Sequence, residues 1–203
     1  MRVAEQADKQ QAVMILTQAF DQNKSVNFVV KQDDHRVDRI RQLMEYSFDY
    51  CKEFGEVYMS DDGRAFALVL FPEKKKASLK SMMWDAKLAS NVIGLTRVMQ
   101  VLNRETLIKK NHPRKPITYL WFIGVDPRLQ GKGVGSKLLK TVIEMSERKE
   151  RPIYLETSVD KNLPWYKSFG FEIYKTIDLT YELFLLRRVV SHPELTVQQT
   201  MSS

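Results

Sequence analysis

The chain has 203 residues, 43% hydrophobic and 28% charged, which fits one folded domain with room for one elaboration. Eight Gly and seven Pro exclude collagen-like and Pro/Gly-rich disorder, and a single cysteine excludes an internal disulfide framework and any Cys-based zinc site. The net charge of +7 leaves two readings open: a solvated basic surface, or a surface for an anionic partner such as nucleic acid, an acidic membrane face or a phosphorylated small molecule.

The first residues lead into no apolar signal core, and no apolar run reaches the roughly 18 residues of a membrane span. The expectation is a soluble protein of the reducing cytoplasm with no membrane partner. His35, His112 and His192 lie far apart without ligand spacing, so no metal site is expected.

Residues 8–20 place Val13, Leu16, Thr17 and Phe20 on one helical face, with Asp8 as the expected cap. Asn27 to Val30 reads as a short extended piece. Arg36 to Phe54 is the clearest helix: Ile40, Leu43, Met44, Ser47, Phe48 and Cys51 form one stripe, and Gly55 stops it. Cys51 on that stripe is a core residue. Two β-rich runs, 56–60 and 64–71, flank Asp61-Asp62-Gly63 and predict a hairpin.

Pro72 ends the second strand, and Lys74-Lys75-Lys76 reads as a loop. Two helices are expected over 79–93 and 95–107, broken near Asn91 to Gly94. Leu79, Met82, Met83, Ala86 and Ala89 share one face of the first; Leu95, Val98, Met99, Leu102 and Thr106 share one of the second. The connector 109–116 carries His112, expected in solvent. Tyr119 to Val125 suits a central buried strand. A glycine cluster, a helix to about Arg148 and a second buried strand, 153–157, follow. Then come a loop with Asp160 and Asn162, a short helix over 164–169 stopped by Gly170, and a strand pair at 171–176 and 181–187. Residues 191–203 read as a polar tail on a single domain of residues 1–190. This order predicts a mixed α/β fold with a partly antiparallel sheet.

Four of the eight glycines, Gly124, Gly131, Gly133 and Gly135, surround the strand-to-helix turn. Without Cβ atoms such a turn can aim several backbone N–H groups at one point, at the positive end of the helix dipole. That is an anion site suited to phosphate, flanked here by Arg128, Lys132 and Lys137. The spacing matches neither a Walker loop, since Ser136-Lys137 reverses its last two residues, nor a dinucleotide fingerprint, which needs glycine at 136.

Gln130-Gly131-Lys132-Gly133-Val134-Gly135 reads Q-x-x-G-x-G. It follows Ile123-Gly124-Val125-Asp126-Pro127. Further on come Leu155-Glu156-Thr157-Ser158, Asn162, and Trp165-Tyr166-Lys167-Ser168-Phe169-Gly170-Phe171. Over about residues 119–173 this ensemble resembles the GNAT superfamily of acetyl-CoA-dependent N-acetyltransferases. The resemblance implies a mostly antiparallel central sheet flanked by helices, with a splayed parallel strand pair at its centre. The helices at 79–107 would be an insertion before the fourth strand.

The resemblance also implies acetyl transfer from acetyl-CoA directly to a primary amine in a ternary complex. The pyrophosphate would rest on amides from Gln130 through Gly131, Lys132, Gly133, Val134 and Gly135 to Ser136. The pantetheine arm would pair with Ile123, Gly124 and Val125, with Gly124 the expected site of a β-bulge. Tyr166 would protonate the leaving thiolate, and Glu156 would take a proton from the amine. Asn162 would bind the cofactor, although relatives often carry Asn where Val159 stands. The partner is then a small-molecule or peptide amine, and a homodimer is compatible with this reading.

A non-catalytic acyl-CoA-binding domain of the same fold is the alternative. A nucleic-acid module is disfavoured, because the lysines are scattered along the chain and the aromatics fall on strands. The 79–107 helices are expected to pack their own apolar faces. The other reading makes Met82, Met83, Trp84 and Met99 walls of an acceptor pocket.

Overall fold

A computed structural model describes residues 1–190 of the chain. The polar tail expected at 191–203 lies outside the described residues. Seven strands form one sheet: β1 (Arg2–Val3), β2 (Gly55–Met59), β3 (Ala65–Leu70), β4 (Thr118–Val125), β5 (Ile153–Thr157), β6 (Glu172–Asp178) and β7 (Glu182–Arg188). Their order is β1-β2-β3-β4-β5-β7-β6, and every pairing is antiparallel except β4 with β5. The predicted mixed, mostly antiparallel sheet is therefore present.

The parallel pair is short. Thr118 lies opposite Ile153 and Tyr119 opposite Tyr154, and no register continues beyond them. From there β4 pairs only with β3, and β5 only with β7. The two central strands thus part toward their C-terminal ends and leave a cleft in the sheet.

Helices cover both faces. On the front, α1 (Lys9–Phe20) and α3 (Arg36–Phe54) bury Leu16, Ile40, Met44, Phe48 and Cys51 against Phe66, Leu68 and Phe122. On the back, α6 (Val134–Arg148) lays Leu138, Leu139 and Val142 over Ala67, Val69, Leu120 and Leu155. Each such side chain contributes roughly 1.5–3 kcal/mol on burial. Among the described residues no helix is long and apolar enough to cross a membrane.

Local chemistry explains several departures from the sequence reading. Residues 27–29 are not extended. Asn27 to Val29 belong to α2 (Lys24–Val29), because the Asn23 side chain caps it by accepting from Val26 N at 3.0 Å, and only the C-cap Val30 has extended backbone. Asp8 stands at the N-cap of α1 as expected, but its side chain makes no cap bond; its carboxylate is held by Arg2, at 2.8 Å on each oxygen, and by Glu5 N at 2.7 Å. Gly55 does end α3 as expected, in extended backbone where a Cβ would stand 1.9 Å from Val69 O.

The largest departure concerns the inserted helices, α4 (Leu79–Lys87) and α5 (Val98–Lys110), joined through a π-helical turn at Leu88–Ile93. Their predicted apolar faces do not pack. Leu79, Met82, Met83, Leu95, Met99 and Leu102 are exposed. Instead α5 turns Val101, Arg104 and Ile108 inward, and Ile108 meets Leu183 and Leu185 on the front face. Met82, Met83 and Met99 thus stand in solvent and not on a packed face, and Trp84 is half-buried near Tyr50 and Lys80.

Candidate active site

The turn between β4 and α6 is held open by a buried carboxylate. Asp126 accepts from Arg128 Nε and Nη2 at 3.0 and 2.7 Å, from Arg64 Nη1 at 2.7 Å, and from Arg128 N at 3.1 Å. The guanidiniums of Arg128 and Arg64 hold its pKa well below the usual carboxylate range. Arg128, expected to flank an anion, is thus already engaged by Asp126.

Beyond it, Gly131 and Gly133 have φ of +79° and +78°, the left-handed region that favours glycine. A Cβ added at either would meet nothing within 4 Å. Gly133 caps α6 without any side-chain acceptor. The amides of Gly131, Gly133, Val134, Gly135 and Ser136 have no acceptor among the described residues. Those of Gln130 and Lys132 turn inward, to Pro127 O at 3.4 Å and Leu129 O at 3.3 Å. Exposed Lys132 and Lys137 flank the turn. Unpaired amides at a helix N-terminus, with open space before them, fit a diphosphate.

The helix α7 (Leu163–Ser168) stands beside this turn on the back face. Trp165 Nε1 donates to Ser136 Oγ at 2.9 Å, which ties α7 to the first turn of α6. Tyr166 is buried among Trp165, Phe171 and the β5 core, and its hydroxyl has no hydrogen-bond partner among the described residues. Burial pushes its pKa upward, so the phenol stays protonated and available as a donor. Asn162 is half-buried at the N-cap of α7, with its side chain making no cap bond.

Glu156 lies on the front face, across the sheet from Tyr166. Its side chain is 7% exposed. Tyr119 OH donates to its Oε2 at 2.6 Å, and His112 Nε2 sits 3.2 Å from its Oε1. Burial, then the neighbouring Glu156 carboxylate, raises the Tyr119 pKa and fixes the phenol as a donor. His112 is not in solvent. Its ring packs between Tyr119 and Tyr154, with centroids 5.4 and 5.6 Å away, and its side chain is 13% exposed. The sequence shows His112 as a lone histidine in a polar connector, and only the parallel β4–β5 register brings that connector over Glu156.

The expected β-bulge is present but displaced. Leu68 lies opposite Phe122 and Val69 opposite Leu120, so Trp121 is the extra residue, not Gly124. Gly124 is in register with Phe66, and its glycine is required by packing: a Cβ would stand 2.7 Å from Leu16 Cδ2 and 3.3 Å from Ala19 Cβ. Ile123 and Val125 point to the back face beside α6.

The family model for the acetyltransferase (GNAT) family matches residues 40–171. A parted central strand pair with an amide-lined helix start beside it is thus the frame of an acetyltransferase. The chain belongs to the GNAT family, whose members use acetyl-CoA. An uncharacterized N-acetyltransferase of Schizosaccharomyces pombe is 40% identical over 62 residues, which are 30% of this chain and 25% of that protein. The match therefore spans about a quarter of that relative's length. Among solved structures, the histone acetyltransferase HPA2 and related acetyltransferase from Corynebacterium glutamicum superposes with a TM-score of 0.67 at 20% identity, over 96% of this chain and 97% of that one. Arylalkylamine N-acetyltransferase 2 from Aedes aegypti gives 0.60 at 16% identity, over 94% and 98%. These two establish the likeness of fold.

Proposed function

We propose that this chain is an N-acetyltransferase that moves the acetyl group of acetyl-CoA directly to a primary amine in a ternary complex. The observation that carries this reading is the placement of Tyr166 and Glu156 on opposite faces of the sheet, on either side of the β4–β5 cleft. A donor stands on the side of the open amides, and an acceptor stands on the other.

Gly131, Gly133, Val134, Gly135 and Ser136 hold the diphosphate through their amides. The free edge of β4 at Ile123, Gly124 and Val125 pairs with the pantetheine arm as an added strand would. The amine nitrogen attacks the thioester carbonyl carbon; the C–N bond forms and the C–S bond breaks. Glu156 takes the proton the amine loses, directly or through one water, and Tyr166 gives its proton to the departing sulfur. Tyr119 and His112 keep the Glu156 carboxylate in one orientation. No nucleophilic side chain is needed, in keeping with a single cysteine, Cys51, that is fully buried in the front core.

The test is a panel of primary amines, from arylalkylamines to peptide N-termini, assayed for thiol release from acetyl-CoA with mass analysis of the amine. Acetylated product with stoichiometric thiol is the expected result. Tight acetyl-CoA binding with no turnover on any amine would favour the non-catalytic acyl-CoA-binding alternative.

A further inference from the structure

The net charge has a location. Residues 72–76, 109–115 and 147–151 hold ten Lys and Arg against three Glu, a balance of +7 equal to that of the whole chain. The remainder of the sequence is neutral. These segments follow β3, precede β4 and precede β5, and the registers put Leu70 opposite Tyr119 and Thr118 opposite Ile153. All three therefore meet at one end of the sheet, the end opposite the glycine turn. Contacts join the first and third segments: Arg151 bonds Glu73, and Lys74 and Lys149 stand 4.6 and 4.8 Å from the Phe71 ring, while Arg151 also reaches Ile117 O, just after the second segment, at 3.4 Å.

Two of the ten cations are paired, Lys149 with Glu56 and Arg151 with Glu73. The other eight, Lys74, Lys75, Lys76, Lys109 and Lys110 among them, have no ion pair among the described residues.

Exposed apolar side chains adjoin this basic end. Of eleven large hydrophobic side chains exposed among the described residues, seven lie within 79–107. Leu79, Met82 and Met83, at 82%, 61% and 60% exposure, share one face of α4 directly after the Lys74-Lys75-Lys76 run. Leu107, at 41%, ends α5 directly before Lys109 and Lys110. Cations thus border exposed apolar side chains at both ends of the inserted helices.

We infer that this end of the molecule docks on an anionic lipid surface, with Leu79, Met82 and Met83 entering the headgroup boundary and the lysine runs meeting the lipid phosphates. Unpaired lysines flanking an amphipathic face are the chemistry that such a surface recognises. A nucleic-acid backbone would satisfy the lysines and leave the leucine and methionines in water. A second copy related by two-fold symmetry would set one +7 end against another. An acidic peptide would find no strand edge here, because β4 and β5 are paired on both sides at this end. The inference stands apart from the acetyl-transfer reading, and its readout is binding alone.

The test is co-sedimentation of the full chain with phosphatidylcholine vesicles, with and without phosphatidylserine, at low and high salt. The expected result is retention on the anionic vesicles only, weakened by salt. Lys76→Glu/Lys109→Glu/Lys110→Glu should lower the partition coefficient by at least about tenfold. Met82→Asp/Met83→Asp should lower it as well at low salt, with melting temperature confirming that each variant is folded. Retention on neither vesicle, or equally on both, overturns the inference from the wild-type protein alone. So does retention that the methionine variant leaves unchanged. Binding to polyuridylic acid in place of the vesicles would assign this end to nucleic acid instead.

Discussion

The Tyr119 hydroxyl donates to Glu156 Oε2 at 2.6 Å across the point where β4 and β5 stop pairing. One side-chain hydrogen bond thus spans the apex of the cleft. It fixes one carboxylate oxygen, while His112 contacts the other. The carboxylate is held by neighbours on β4 and on the connector before it, so, with Glu156 as the proposed base, its loss and the loss of its supports should differ in kind.

Glu156→Gln is expected to lower kcat by about 10²-fold or more at neutral pH, the usual contribution of a positioned base. The deficit should narrow as pH rises and the amine deprotonates in solution. Tyr119→Phe should cost less, because the carboxylate remains and only its orientation is lost. A pH–rate profile for each variant checks this; equal profiles for Glu156→Gln and wild type would remove the base assignment.

Tyr166→Phe is expected to slow thiol release by about 10²–10⁴-fold, within the range of general-acid catalysis, with the acetyl-CoA Kd nearly unchanged. The ring keeps its packing against Trp165 and Phe171, so melting temperature should hold. Calorimetric binding and single-turnover rates separate the two effects.

Gly124→Ala tests packing, not chemistry. Its Cβ would press on Leu16 and Ala19 of α1, an overpacking cost of roughly 1–3 kcal/mol. Denaturant unfolding should show that loss. Unchanged stability would mean that α1 lies farther from β4 than described.

Asp126 contributes stability with a defined pH sign. Its folded pKa is depressed by Arg128 and Arg64, so the contribution is complete above the unfolded value of about 4 and is lost as pH falls toward the folded value. Asp126→Asn should therefore lower the melting temperature at neutral pH, with the gap to wild type closing under acid. A gap independent of pH would contradict the assignment.

Much of the fold is legible because its signals are local. Arg36–Phe54 carries one unbroken apolar stripe, and Ile153-Tyr154-Leu155 after Pro152 opens a buried strand; both elements have the expected bounds. The inserted helices misled because α5 carries two candidate stripes. The buried one contains Arg104, whose guanidinium is satisfied by Tyr181 and Ser25, partners 77 and 79 residues away. The site divides along the same line. The glycine turn and Tyr166 announce themselves by spacing. His112 and Tyr119 do not, since their role depends on a parallel register between strands 35 residues apart in sequence. The bulge is at Trp121, while the glycine at 124 answers to the close packing of α1, a tertiary contact that local spacing does not show.

Acetyl transfer as proposed requires that the amides opening α6 receive the diphosphate of acetyl-CoA. Backbone ¹H–¹⁵N spectra of the labelled protein titrated with coenzyme A address it residue by residue. Gly131, Gly133, Val134, Gly135 and Ser136 should shift most strongly and saturate together. Saturable shifts elsewhere with these five resonances unmoved would contradict the account.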